Sequence, residues 1–137
     1  MDDRVAVITL NRPDKLNALS RPLWQQLDAA WSSGKVIVAA VHGDCLGRGL
    51  ELALWSDIVV ASQDTRLGHP EIREGALLYS VIPWLTGPQQ AKLLMLSGDV
   101  INAREAARLG LVARVVTFMN RWAFARSRQP ASRSRPC

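Results

Sequence analysis

Apolar and polar positions alternate from Arg4 to Asn11 (RVAVITLN), and β-branched residues are frequent there, which predicts a strand. Pro13 and Asp14 then mark a turn. Ser20 stands where a helix cap is wanted, with Pro22 in the first turn, and Leu23, Trp24, Leu27, Ala30 and Trp31 fall on one helical stripe. The run Val36 to Gly43 is apolar without alternation, the pattern of a strand buried on both faces. Gly43, Gly47 and Gly49 form a glycine turn leading into a helix headed by Glu51 and ending near Ser56 and Asp57. DIVVAS predicts another buried strand, and QDTRLGHPEIREG a loop broken by Gly68 and Pro70. VIPWLTG and PQQAKLLMLSG predict two helical pieces, with Pro83 inside the first and Gly87-Pro88 between them. NAREAARLGLV predicts a helix capped by Asn102 and stopped by Gly110, with ARVV as a last strand. The alternation of strands and helices predicts an α/β fold.

From Thr117 onward the pattern stops. The segment is rich in Arg, Ser and Pro and has no apolar periodicity after Phe124, so residues 117–137 are expected to be a disordered basic tail on a core of residues 1–116. Charge divides at nearly the same place. Residues 1–105 hold ten Lys/Arg and all twelve Asp/Glu, for a net −2, whereas residues 106–137 hold seven arginines and no acid. The overall +5 therefore belongs to the tail, which weakens any reading of the body as a nucleic-acid surface. Only Trp122 and Phe124 lie near the arginines, so nucleic acid is not an expected partner.

At 137 residues the chain has the size of one ordinary domain, and 48% of its residues are apolar. No apolar run approaches the roughly 18 residues of a membrane helix, and the acidic start does not resemble a secretory signal. Cys45 and Cys137 do not form a metal-ligand spacing. A cytoplasmic protein with no metal and no membrane partner is the expectation.

The glycine turn carries the candidate chemistry. A strand running through glycines into a helix presents free backbone N–H groups, which suit an anion or a developing oxyanion. The spacing Gly43-x-x-x-Gly47-x-Gly49 is not that of a dinucleotide or phosphate loop. Glu51 lies in the first helical turn, where a carboxylate is also favoured simply by the helix dipole. Glu71 stands in GHPEIREG on a predicted loop with no helix to cap, and Glu74 reads as a solvated loop acid. Two carboxylates converging on one pocket can hold a water between a proton acceptor and a proton donor.

Together, VAVITLNRPDKLNALS, AAVHGDCLGRGLELALWSDIVVAS, LGHPEIREG and LSGDVINAREAARLGLVARVV resemble the enoyl-CoA hydratase/isomerase (crotonase) family, in the family's order and over most of residues 4–116. The resemblance implies a partial crotonase-like ββα spiral core. It implies that Glu51 and Glu71 hold and activate a water added across the double bond of an enoyl-CoA thioester. The backbone N–H at Arg48 is implied as an oxyanion donor. Lys15, Leu16, Ala18 and Gly47 are implied to lie along the coenzyme A moiety, which enters as part of the substrate; no permanently bound cofactor is expected. His42 and His69 are taken as structural neighbours, since the family's chemistry assigns them no role. An acyl-CoA thioester is the implied ligand and a homo-oligomer the implied assembly.

The chain also departs from that pattern. After the first helix, LDAAWSSGKVIVAAV passes directly to the second strand, omitting a block implied to supply the other oxyanion donor and much of the acyl pocket. Arg48 replaces a glycine in the middle of the triplet, which predicts backbone strain and a side chain in the site. The tail stands where covering C-terminal helices are expected. Little or no turnover is the resulting expectation, and a catalytically impaired remnant or non-catalytic acyl-CoA-binding subunit the alternative.

Overall fold

The computed structural model describes residues 6–10, 12, 15, 17–76 and 79–117. Its elements in chain order are α1 (Arg21–Trp31), β1 (Val38–Val41), β2 (Asp44–Leu46), α2 (Arg48–Leu54), β3 (Ile58–Ser62) and β4 (Arg66–Gly68). A 3₁₀ turn (Pro70–Glu74), α3 (Ile82–Thr86), α4 (Pro88–Ser97), β5 (Val100–Asn102), α5 (Ala103–Arg108) and β6 (Arg114–Val116) complete the fold.

The strands form two three-stranded sheets. One has the order β1-β3-β6 and is parallel; the other has the order β2-β4-β5, with β2 and β4 parallel and β4 and β5 antiparallel. The pairs β1-β2 and β3-β4 each place their first strand in one sheet and their second in the other, and each is followed by helical structure, giving two ββα units of the expected repeat in a mixed α/β fold. β5 then joins the second sheet and, after α5, β6 joins the first. The core lies between these layers, with Leu50, Leu67 and Ile82 fully enclosed and Val59, Ala61, Leu94, Ala103 and Ala106 packed around them. Cys45 belongs to it, and burial pushes its thiol pKa up to about 12, so it behaves as a small apolar side chain.

Several local expectations change. Residues 6–10, the described part of the first expected strand, are not a strand: a strand persists only where a neighbour accepts its hydrogen bonds, no strand among the described residues pairs with this segment, and Val7 and Ile8 are about half exposed. β1 is half-buried rather than enclosed because, among the described residues, it is an edge strand paired only with β3. The glycine turn contains β2, and the predicted loop from Gln63 to Gly75 contains β4 and the 3₁₀ turn. These three-residue strands are too short for apolar alternation to reveal them. Ser20 occupies the cap of α1 without a side-chain cap bond; its hydroxyl instead accepts from Arg12 at 3.3 Å. Only Leu27 of the α1 stripe is buried, and Trp24 is 45% exposed.

Other boundaries hold. Asn102 caps α5 by accepting from the Glu105 N–H at 2.9 Å, and Gly110 follows the helix at φ 87°, a left-handed conformation that glycine adopts freely. The basic tail, from residue 118 on, lies outside the described residues, as does Leu16.

Candidate functional site

β2 delivers the chain to Gly47, which has φ 53° and precedes α2. No side chain fits there: a Cβ would stand 2.7 Å from Glu71 Oε1. The Gly47 N–H donates to the Gly68 carbonyl at 2.9 Å, so that donor is committed to the fold. The first N–H without such a commitment is that of Arg48, which opens the helix and has no intrahelical acceptor. Arg48 does not have the strained backbone expected of it, since Asn17 is the only non-glycine with positive φ among the described residues. Its side chain does lie in the site, along the cleft described below.

Glu51 follows in the same first turn, with its side chain 8% exposed. Val81 N–H donates to its Oε2 at 3.3 Å. Glu71 is not on an open loop but in the first turn of the 3₁₀ turn. That turn is fixed from behind by Arg73, which donates to the Ser97 carbonyl at 3.2 Å and to Asp99 at 3.0 Å.

What joins the two glutamates is His69, a buried residue expected only to be a neighbour. Its Nε2 stands 2.9 Å from Glu51 Oε1, and its Nδ1 stands 3.0 Å from Glu71 Oε1. The fold places the two glutamates on either side of one imidazole ring, and only Glu51 of the two lines the cleft described below. The Glu51 contact is close without being aligned as a hydrogen bond, and neither Glu51 Oε1 nor His69 Nε2 has another partner among the described residues. Buried polar atoms are ordinarily satisfied, so this is unspent bonding capacity inside a site. The His-Pro-Glu order was legible, but nothing in the sequence indicated that the ring turns inward between two acids.

Burial alone lowers the pKa of His69; the close polar contacts and negative charges of Glu51 and then Glu71 outweigh it, and the net shift is upward. A raised folded-state pKa stabilises the fold fully below the unfolded value of about 6.5, and that contribution is lost as pH rises through the folded pKa. Thermal unfolding across this window should therefore show a loss of Tm with rising pH that His69→Gln removes. Equal pH dependence in both proteins would contradict the assignment.

A cleft of about 470 Å³ opens over Glu51, lined by Leu19, Ser20, Arg21, Trp24, Arg48 and Tyr79, with Trp55 beside them. Of the remaining expected ligand positions, Lys15 and Ala18 are exposed on the segment that leads into this cleft. The Ala18 N–H is spent on the Lys15 carbonyl. His42 is exposed and takes no part in the line of acids. Among the described residues no three His, Cys, Asp or Glu side chains are placed to hold a metal ion, and no helix is long and apolar enough to cross a membrane.

The family model described as enoyl-CoA hydratase/isomerase matches residues 22–123. A Rhizobium meliloti protein named "Probable enoyl-CoA hydratase" is 32% identical over 173 positions, covering 82% of this chain and 65% of its own. That alignment is longer than the whole chain, so a block of the relative has no counterpart here. A crotonyl-CoA hydratase from Syntrophomonas wolfei is 38% identical over 106 positions, 74% of this chain and 40% of its own. The chain thus spans between about two-fifths and two-thirds of the length of these relatives. The solved structure of an enoyl-CoA hydratase/isomerase from Xanthobacter autotrophicus Py2 superposes with a TM-score of 0.77 at 27% identity, covering 86% of this chain and 65% of the other. The sequence match over residues 22–123 and the shared fold agree, and the chain belongs to the enoyl-CoA hydratase/isomerase family.

Proposed function

We propose that this chain binds an acyl-CoA thioester in the cleft over Glu51 and slowly adds water across the double bond of an enoyl-CoA, with Glu51 and Glu71 as the proton-transfer pair. Glu51 carries the reading. A carboxylate that is 8% exposed, stands against a buried imidazole and lines a cleft is costly to keep unless a ligand or reacting water uses it. The cleft volume of about 470 Å³ suits a small organic ligand. Arg21 and Arg48 on its wall complement phosphate groups, and Trp24, Trp55 and Tyr79 offer apolar and stacking surface. The two relatives named above are hydratases by name, one of them for crotonyl-CoA.

The missing block favours a second reading, a chain that binds the thioester without turning it over. Loss of one oxyanion donor costs roughly 10²–10³ in rate where it has been measured, which is why slow turnover is proposed. Titration calorimetry tests the binding step. A short enoyl-CoA should bind, the corresponding free acid should not, and heparin should fail to compete. Heparin competition that weakens steeply with salt would place binding on basic surface instead and overturn the proposal.

Self-association belongs to the same reading. Trp84 is 82% exposed on α3, and Leu93 and Leu96 are 63% and 64% exposed on α4. Apolar surface of that kind favours contact with a second copy. Sedimentation should show an oligomer, and a monomer at all concentrations would contradict this.

A further inference from the structure

His69 makes two polar contacts that a neutral ring cannot both satisfy. A neutral imidazole has one N–H and one bare lone pair. Carboxylate oxygens of Glu51 and Glu71 stand 2.9 Å from Nε2 and 3.0 Å from Nδ1. One of them would therefore face a lone pair in a site where the ring is 5% exposed, and such a buried contact is repulsive. One added proton on the ring removes the conflict, because an imidazolium donates from both nitrogens.

We propose that the Glu51–His69–Glu71 line holds one proton more than a neutral ring and two carboxylates, and that His69 is the positioning residue that carries it and sets Glu51 for the ligand. Among the described residues, the charged groups within reach of the ring are Glu51 from α2 and Glu71 from the 3₁₀ turn. From the start of α3, the Val81 N–H holds the other Glu51 oxygen, and from the start of α2 Arg48 lines the same cleft. The extra proton reduces the charge of the line from −2 to −1 beside the space where an anionic thioester ligand would enter. The ligand part of this inference rests on the acyl-CoA reading above, whereas the proton count does not.

Nitrogen NMR of the labelled full chain reads the ring directly. There are two histidines, so His42→Gln assigns the signals. His69 should carry protons on both nitrogens at pH values above the ordinary midpoint of about 6.5. Glu71→Gln should move its midpoint down by about one unit or more. A ring that is singly protonated at and below about pH 6.5, or a midpoint unmoved by Glu71→Gln, overturns the proposal. Acyl-CoA affinity supplies the second readout. In the wild type it should fall as pH rises through the NMR midpoint, and His69→Gln, which keeps a hydrogen-bonding side chain but no charge, should bind about tenfold more weakly with no such limb. Wild-type affinity and pH dependence in His69→Gln would also overturn it. If no acyl-CoA binds at any pH, the cleft reading fails, and the ring titration of the wild type decides the proton count alone.

Discussion

Glu51→Gln is expected to lower the rate of enoyl-CoA hydration by about 10²–10⁴-fold, the usual worth of a positioned proton-transfer group. The substitution keeps the side chain's shape and leaves a carbonyl oxygen able to accept from Val81 N–H, which Glu51 now does at 3.3 Å. It removes the ability to take a proton from water. Glu71→Gln should also lower the rate, because Glu71 reaches the same line through Nδ1 of His69. Glu74→Gln is the control: Glu74 lies on the same 3₁₀ turn but is exposed, and its loss should change nothing. The decay of conjugated thioester absorbance, followed for all four proteins, gives the comparison. Rates left intact by both Glu51→Gln and Glu71→Gln would remove the two acids from the mechanism.

Gly68→Ala should destabilise the fold by about 3 kcal/mol and lower Tm by about 10 °C. A Cβ at Gly68 would stand 2.5 Å from the Asp99 carbonyl oxygen and 3.1 Å from Val100 Cα. Both are backbone atoms of the segment that enters β5, so no side chain can swing aside. Gly68 pairs with Val100 across β4 and β5 and with Leu46 across β2 and β4, and its carbonyl accepts from Gly47. One methyl group there pushes on the whole second sheet and on the residue that introduces α2. Gly49→Ala is the comparison: a Cβ there meets open space and its backbone is not left-handed, so stability should be unchanged or rise by about 0.4–1 kcal/mol. Equal Tm values for wild type and Gly68→Ala would show that β5 yields more easily than this packing implies.

The longer elements were legible because their signals are local. Ser20-x-Pro22 before an apolar stripe, the unbroken apolar runs of β1 and β3, and Asn102 before α5 each specify an element from within it. What escaped depends on partners distant in sequence. Residues 6–10 have a strand's pattern and no strand to pair with among the described residues, whereas β2, β4 and β5 are three residues each and exist through their pairing with one another. The site divides in the same way. Glu51 and Glu71 were marked by type, spacing and family resemblance. His69 was set aside, because a sequence does not show which way a ring points, and the 2.9 Å and 3.0 Å contacts exist only after β4 and the 3₁₀ turn bring it beside α2. The Gly47 N–H serves the sheet contact with Gly68, which leaves Arg48 as the first uncommitted donor, as the resemblance implied.

The central claim is that water is added to an enoyl-CoA at the cleft over Glu51. The most direct test incubates the full chain with a short enoyl-CoA in water enriched in heavy oxygen and weighs the products by mass spectrometry. The account predicts slow formation of a 3-hydroxyacyl-CoA carrying one solvent oxygen on the acyl chain, with the thioester intact and the product absent in Glu51→Gln. Recovery of unreacted thioester alone, or of free acid and coenzyme A, or an equal yield of hydrated product from Glu51→Gln, would contradict it.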